Sequence, residues 1–270
     1  FVNFFEKFYG KSKSDQLIDI LSKSYYVLLF CNSCDLIWQK NQPDNKLSYE
    51  LYENIIDNEK SYQKSIEIYN KSKKRYYLEG QFFKNYFKKE NINILDYGAG
   101  WGSWLNALKD HSLNLFATEL SEDRIKKLKS NKINLVNLDD LKKYENYFDV
   151  IRLEQVLEHI GETDNLIFNL SKLIKKNGLL CIGVPDGNKI IKDRKISIEK
   201  GPIQPLEHLN CFNTRSLCFL MKKHDFRKIK INELIFSHLA SREFSLPKLR
   251  FMVSDLRNNI FSTTIKFIKI

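Results

Sequence analysis

The 270-residue chain carries 44 Lys and Arg against 33 Asp and Glu, a formal net charge of +11, and its 43% hydrophobic and 13% aromatic content excludes a disordered chain. Its longest apolar runs, such as Tyr25 to Phe30, are strand-sized and far short of the ~20 residues of a membrane span, and five unevenly spread cysteines suit a reducing compartment, so a soluble, cytoplasmic protein is expected. The basic surplus is mostly lysine scattered in short pairs among asparagine and isoleucine, where a dedicated nucleic-acid binder would concentrate it on one stripe, and no nucleic-acid partner is expected.

The chain opens on Phe1, with neither an initiator Met nor a signal-peptide pattern, which predicts a natural start further upstream. Residues 1 to about 90 are aromatic and charged. YYVLLFCNSCDLIW reads as strand, turn and strand around Cys31 and Cys34, and a helical stretch follows from Ser48 to Lys88. From Asn91 to Asp186 short apolar runs (INILDYG, LNLFATEL, INLVNL, FDVIRL, LLCIGVP) alternate with segments of helical period such as RIKKLKS and NLIFNLSKLIKKNG. Such alternation builds an α/β fold, Rossmann-like, with a mostly parallel sheet and helices on both faces.

A lysine-rich excursion, GNKIIKDRKISIEKGPIQP, leads to EHLNCFNTRSLCFLMKKHDF, whose helix Thr214 can cap, and to a strand-like KIKINELIF. The final PKLRFMVSDLRNNIFSTTIKFIKI mixes apolar and cationic residues. It is expected to pack on the domain, with weak contact to an anionic membrane or a protein partner as the alternative. The expected division is a cap over residues 1–88, a core over 89–235 and a basic C-terminal segment over 236–270.

ILDYGAGWGSWL, residues 94–105, sets Gly98, Gly100 and Gly102 directly after a strand that closes on Asp96. Glycines there let the backbone turn sharply and approach a ligand before a helix begins. Glu119 ends the next strand about 20 residues on, where a carboxylate can accept from both ribose hydroxyls. The dinucleotide fingerprint G-x-G-x-x-G would need glycine where Ser103 stands, and an acid facing the ligand suits a cation better than a pyrophosphate. S-adenosylmethionine, with its ammonium and sulfonium, suits Asp96.

On these residues the chain resembles class I S-adenosylmethionine-dependent methyltransferases, in the small-molecule branch labelled type 11 or 23. ILDYGAGWGSWL is similar to the first motif, ATEL to the ribose-binding strand end and FDVIRLEQVLEHI to the fourth-strand motif. KLIKKNGLLCIGVPD resembles the helix, turn and fifth strand, and EHLNCFNTRSLCFLMKKHDF the segment beyond, in consistent order from Asn91 to Phe226. The resemblance implies a three-layer α/β/α fold with a seven-stranded sheet, and S-adenosylmethionine as cofactor with S-adenosylhomocysteine as product. It implies Gly98, Gly100 and Gly102 at the methionine part, Glu119 at the ribose, and Asn137 and Leu138 around the adenine. Asp96, Tyr97, Ala99, Leu120, Asp139, Leu153 and Glu154 complete the cofactor-binding set. Where the family often carries an acid at the adenine position this chain has Asn137, whose carbonyl can still accept; Asp139 and Asp140 read equally as a turn or helix cap.

Methyl transfer is an in-line displacement, and a base helps only where the acceptor must lose a proton. His159, just past the fourth strand, and His208, in PLEHLNCF, are the candidate catalytic residues; in similar sugar methyltransferases the second motif's histidine is a proposed base. Each reads alternatively as a packed, hydrogen-bonded imidazole, with Glu158 and Glu207 orienting the rings or capping structure. His111, on an expected solvent-facing loop, has no assigned role, and Trp101 reads as core or as pocket lining. Cys31 and Cys34 resemble the second knuckle of an amino-terminal zinc ribbon. Structural zinc needs four ligands and no cysteine precedes them, so either a first pair lies upstream of Phe1 or the site has decayed, and no bound zinc is expected.

The acceptor implied is a small molecule, a sugar or a nucleotide-linked or surface-glycan intermediate. The alternative is a non-catalytic methyltransferase-like module of a glycan-assembly complex. The Asn/Asp-Pro-Pro-Tyr/Phe motif of base methylation is absent at the fourth strand, which reads RLEQVLEH.

Overall fold

A computed structural model describes residues 2–21, 24–193, 201–240 and 245–270. Helices α1 (Val2–Tyr9) and α2 (Lys11–Leu21) turn about Gly10 and bury Phe4, Phe5 and Leu17 against Leu51 and Ile55. Strands β1 (Leu28–Phe30) and β2 (Ile37–Gln39) form the antiparallel pair expected around the two cysteines. The helical stretch expected from Ser48 to Lys88 is two pieces. α3 (Asn45–Glu50) runs into a π-turn at Leu51–Ile55, and α4 (Asn58–Phe87) restarts behind Asp57, whose carboxylate accepts from the Lys60 amide.

The regular alternation then unfolds as β3 (Asn93–Tyr97), α5 (Ser103–Leu108), β4 (Asn114–Thr118), α6 (Glu122–Ser130), β5 (Asn134–Leu135), β6 (Phe148–Glu154), α7 (Thr163–Leu173) and β7 (Ile174–Gly183). After α8 (Asn188–Asp193) come β8 (Asn210–Cys211), α9 (Thr214–Lys223), β9 (Phe226–Lys228), α10 (Ile231–Leu239), α11 (Leu246–Phe261) and β10 (Thr264–Lys269). The seven-stranded sheet has the order β5-β4-β3-β6-β7-β10-β9. Its first five strands are parallel, and β10 lies antiparallel between β7 and β9. Side chains alternate across a strand: Ile94, Val150 and Leu179 face α4, α5 and α11, while Leu95, Ile151, Leu153 and Leu180 face α7 and α9.

Four expectations change. KIKINELIF is a strand only through Lys228; INELIF opens α10, whose Glu233 carboxylate accepts the Lys230 amide (2.7 Å) and two Arg227 guanidinium bonds (2.8 and 2.6 Å). The helix cap at α9 is Asn213, one residue before Thr214. IKKNG belongs to β7 rather than to the preceding helix, with Asn177 at φ 62°. The C-terminal segment 236–270 does not pack on a finished core: β10 is an interior strand of the sheet and buries Ile265, Phe267 and Ile268. Within the lysine-rich excursion, residues 194–200 lie outside the described residues.

The cap is tied to the core by backbone pairing. β8, in the EHLNCF stretch, adds to β2 (Ile37↔Cys211), making a three-stranded sheet β1-β2-β8. Among the described residues no helix is long and apolar enough to cross a membrane.

Candidate active site

The glycine loop is stitched to the end of β4: the amides of Gly98 and Ala99 both donate to the Thr118 carbonyl, at 3.1 and 3.0 Å. Gly98, Gly100 and Gly102 have φ of 73°, 56° and 75°, the left-handed region that favours glycine. A Cβ at Gly98 would fall 2.8 Å from Val156 Cγ2 and one at Gly102 2.6 Å from Leu128 Cδ2, whereas Gly100 faces open space. Glu119 curls back to this loop, its carboxylate accepting from the amides of Gly100 (2.7 Å), Leu120 (2.9 Å) and Ser121 (3.2 Å). An open glycine beside a fixed carboxylate is a cradle that fits a ribose-bearing cofactor. Leu120, 78% exposed, stands next to it, and Tyr97 and Ala99 are half-buried in the loop.

The cap covers this loop through α4. Trp101 Nε1 donates to Ser61 Oγ (3.1 Å) and its ring packs on Tyr62, lining a cavity of about 430 Å³ with Asp123 and Lys127. Trp104 is core, donating to Glu79 at 2.9 Å. Asn137 caps the 3-10 turn Leu138–Tyr144, its side-chain oxygen accepting the Asp139 amide (3.1 Å), and Asp139 and Asp140 lie within the first turn; Asn137 and Asp139 are exposed and Leu138 half-buried.

Two residues of the implied set lie elsewhere than expected. Asp96 does not present a free acid to a ligand. It is buried and its carboxylate takes a 3.2 Å bond from Arg152, its register neighbour on β6, which also reaches Glu154 (3.4 Å) and lies over the Trp104 ring. Burial pushes the Asp96 carboxyl up to about 6, against the pull of Arg152. The Leu153 side chain is wholly buried on the opposite face, among the α7 residues, so only its backbone reaches the strand end. Glu154 is half-buried with its carboxylate against Gly183. The next residue, Gln155, is exposed, at φ 54°, and donates its amide to the Gly183 carbonyl at 2.7 Å. Nothing in its residue type announced a left-handed backbone at the mouth of the site.

Beyond β6 the chain passes Val156, which packs on Gly98, into a short turn at Leu157–His159. That turn meets the segment before β8. His159 Nδ1 is 2.7 Å from the Glu207 carbonyl and 2.9 Å from the Tyr52 hydroxyl, His208 Nδ1 bonds the Gly201 carbonyl, and the rings lie 4.9 Å apart. A carbonyl only accepts, so each Nδ1 carries the proton and each neutral ring keeps a lone pair on Nε2. Burial and the neighbouring His208 push His159 down to about 4, and burial lowers His208 as well.

The neighbouring acids do not orient the rings through their carboxylates. Glu207 holds His159 by its backbone, while its carboxylate is taken by the Tyr9 hydroxyl (2.5 Å) and the Gln204 amide (2.6 Å). Glu158 is 1% exposed and its oxygens accept no hydrogen bond among the described residues. His159 Nε2 stands 3.8 Å from it, beyond hydrogen-bond reach, and burial pushes the Glu158 carboxyl up to about 8. Tyr9 and Tyr52 come from the cap, where only a general aromatic richness marked them. A cavity of about 800 Å³ lies in the cap, lined by Tyr25, Tyr26, Gln39 and Gln42, and reaches Pro205 and Leu206.

His111 is buried against Gly80 and Tyr77 of α4, not solvent-facing. All five cysteines are free. The backbone amides of Cys34 and Ser33 lower the Cys31 thiol, and among the described residues no third His, Cys, Asp or Glu joins Cys31 and Cys34 within ligating range.

Residues 71–231, more than half of the chain, match the family described as methyltransferase domain. Ubiquinone biosynthesis O-methyltransferase of Pelagibacter ubique is 32% identical over 120 residues, 40% of this chain and 48% of that protein. An uncharacterized protein of Methanocaldococcus jannaschii is 30% identical over 112 residues, 41% of this chain and 48% of that protein. The chain thus spans about half the length of the curated relatives it matches. The structure of the plantazolicin methyltransferase BpumL in complex with SAH (S-adenosylhomocysteine) aligns with a TM-score of 0.50 at 16% identity, over 83% of this chain and 93% of that one, a likeness of fold. With its glycine cradle, its parallel sheet closed by an antiparallel β10 and this family match, the chain belongs to the methyltransferase domain family and has its class I, S-adenosylmethionine-dependent architecture.

Proposed function

We propose that the protein transfers a methyl group from S-adenosylmethionine to a small-molecule acceptor, and that the acceptor is a sugar or a nucleotide-linked sugar of a surface glycan. One observation carries the reading: the open Gly100, the Glu119 carboxylate and the two imidazoles gather at the same end of the sheet, linked by Val156 packed on Gly98. The loop backbone from Gly98 to Gly102 would hold the methionine part, Glu119 the ribose, and Leu120 with residues 137–139 the adenine. The cofactor supplies an activated methyl carbon. His159 and His208, neutral at physiological pH, have the free Nε2 that could take a proton from an acceptor hydroxyl.

The Gln42 and Tyr25 side chains along the large cavity suit a hydroxyl-rich ring, and the cavity reaches Pro205 and Leu206, just ahead of the EHLNCF stretch. Oxygen is favoured over carbon by the Pelagibacter ubique relative, which is named an O-methyltransferase. The free thiols are in keeping with a cytoplasmic setting.

The test is calorimetric titration with S-adenosylmethionine, S-adenosylhomocysteine and NAD, followed by a screen of sugars and nucleotide sugars for acceptor-dependent S-adenosylhomocysteine release. The expected result is binding of the first two, no response to NAD, and turnover with at least one sugar. Absence of binding in folded protein would favour the non-catalytic module of a glycan-assembly complex.

A further inference from the structure

We propose that Glu158, His159 and His208 form a binding site for a divalent transition-metal ion. A ring nitrogen of each histidine and a carboxylate oxygen of Glu158 all lie within 4.8 Å of one another. A single point therefore lies within about 2.8 Å of all three, and small side-chain rotations bring it to the ~2.0–2.2 Å of a metal bond.

The second observation is Glu158 itself. A carboxyl group that is 1% exposed and whose oxygens accept no hydrogen bond is an unsatisfied buried polar group, and a cation between it and the imidazoles would give those oxygens a partner. The histidines are also prepared as ligands. The Glu207 and Gly201 carbonyls fix both protons on Nδ1 and so free both Nε2 atoms, the arrangement that usually supports metal-bound imidazole.

Two imidazoles and one carboxylate select Zn²⁺, Co²⁺, Fe²⁺ or Mn²⁺ over Mg²⁺ or Ca²⁺, which prefer all-oxygen sets. Three protein ligands leave open positions, as in catalytic rather than structural metal sites. Resting on the methyl-transfer reading, the open positions would take acceptor oxygens. The ion would lower the pKa of a bound hydroxyl, whose proton then passes to water instead of to a histidine.

The probe is Co²⁺, titrated into chelator-treated full-length protein carrying Cys31→Ser and Cys34→Ser, so that thiolate binding cannot answer for the site. One equivalent should bind with visible d–d bands and no thiolate charge-transfer absorption. Glu158→Gln and His208→Ala should each weaken binding at least ~10-fold. Glu158→Gln is nearly isosteric and removes no hydrogen bond, so its fold, checked by circular dichroism, should survive. Unchanged Co²⁺ affinity in both variants, or Co²⁺ binding that vanishes with the cysteines, overturns the assignment. Because this readout needs no methyl transfer, Co²⁺ binding without S-adenosylmethionine binding would leave the metal site standing and remove the proposed activity.

Discussion

Gly98 and Gly100 share a backbone conformation but not a surrounding, and that difference separates folding from binding. Alanine at Gly98 adds left-handed strain and a clash with Val156, so Gly98→Ala should cost about 1–3 kcal/mol of stability in a denaturant melt. Alanine at Gly100 meets nothing within 4 Å. It carries the left-handed strain without the clash, so it should destabilise less than Gly98→Ala yet lose S-adenosylmethionine binding in calorimetry, because its methyl enters the space the cofactor needs. Glu119→Ala and His208→Ala form a second contrast. The first should weaken cofactor affinity ahead of turnover; the second should keep affinity and cut turnover ~10²–10⁴-fold, through loss of a base or a metal ligand. Full turnover in His208→Ala would remove that residue from the chemistry. The glycines and Glu119 were legible because their spacing follows from local backbone demands. The pairing of Asp96 with Arg152 was not, since it arises from the register of β3 on β6, which no local pattern encodes.

At the level of elements, the sheet's parallel half was readable from alternating apolar runs, while its last strand was expected only to pack on the domain and not to join the sheet. TIKFIK carries lysines at both faces, and only the structure reveals what Lys266 is doing. It is buried, paired with Asp255 of α11, and Asp255 also accepts from His238 of α10 at 3.0 Å. Similarly, KIKIN alternates like a strand, but Leu234 buries on a helical face and Glu233 caps the turn that starts it. Removing one partner of the buried pair leaves the other charge stranded, so Asp255→Asn should cost several kcal/mol, on the order of 3–5. The pH dependence has a definite sign. Burial alone would raise the Asp255 carboxyl, but Lys266 and His238 override it and hold it down to about 2. Its folded value lies below that of the unfolded chain, so its stabilisation is complete above about pH 4 and lost as pH falls towards 2. The melting-temperature gap between wild type and Asp255→Asn should therefore narrow between pH 4 and pH 2. A constant gap would show that the carboxylate is not held down by its partners.

On the scale of the whole molecule, the cap is part of the site. Its β2 pairs with β8, its α4 closes over the glycine loop, and its Tyr52 and Tyr9 reach His159 and Glu207. The family match begins only at residue 71, inside α4; under the proposed function, the shared core would hold the cofactor and the cap would contribute to the face turned towards the acceptor. Cap substitutions that spare the core should therefore alter turnover while leaving cofactor binding alone. Tyr52→Phe deletes only the hydroxyl beside His159 Nδ1 and keeps the ring that meets the imidazole edge-on. Losing one such hydrogen bond is worth about 1 kcal/mol, or roughly 5-fold in rate if it is made in the transition state. The expected outcome is a several-fold fall in kcat per folded molecule at unchanged S-adenosylmethionine affinity, with at most a small fall in melting temperature and with the pH profile of kcat displaced because the orientation of His159 is less firmly set. A purely structural tyrosine would lower the melting temperature alone and leave kcat per folded molecule and its pH profile as they were. The rate per folded molecule and its pH profile, measured on one variant, decide whether the cap positions His159 or only covers it.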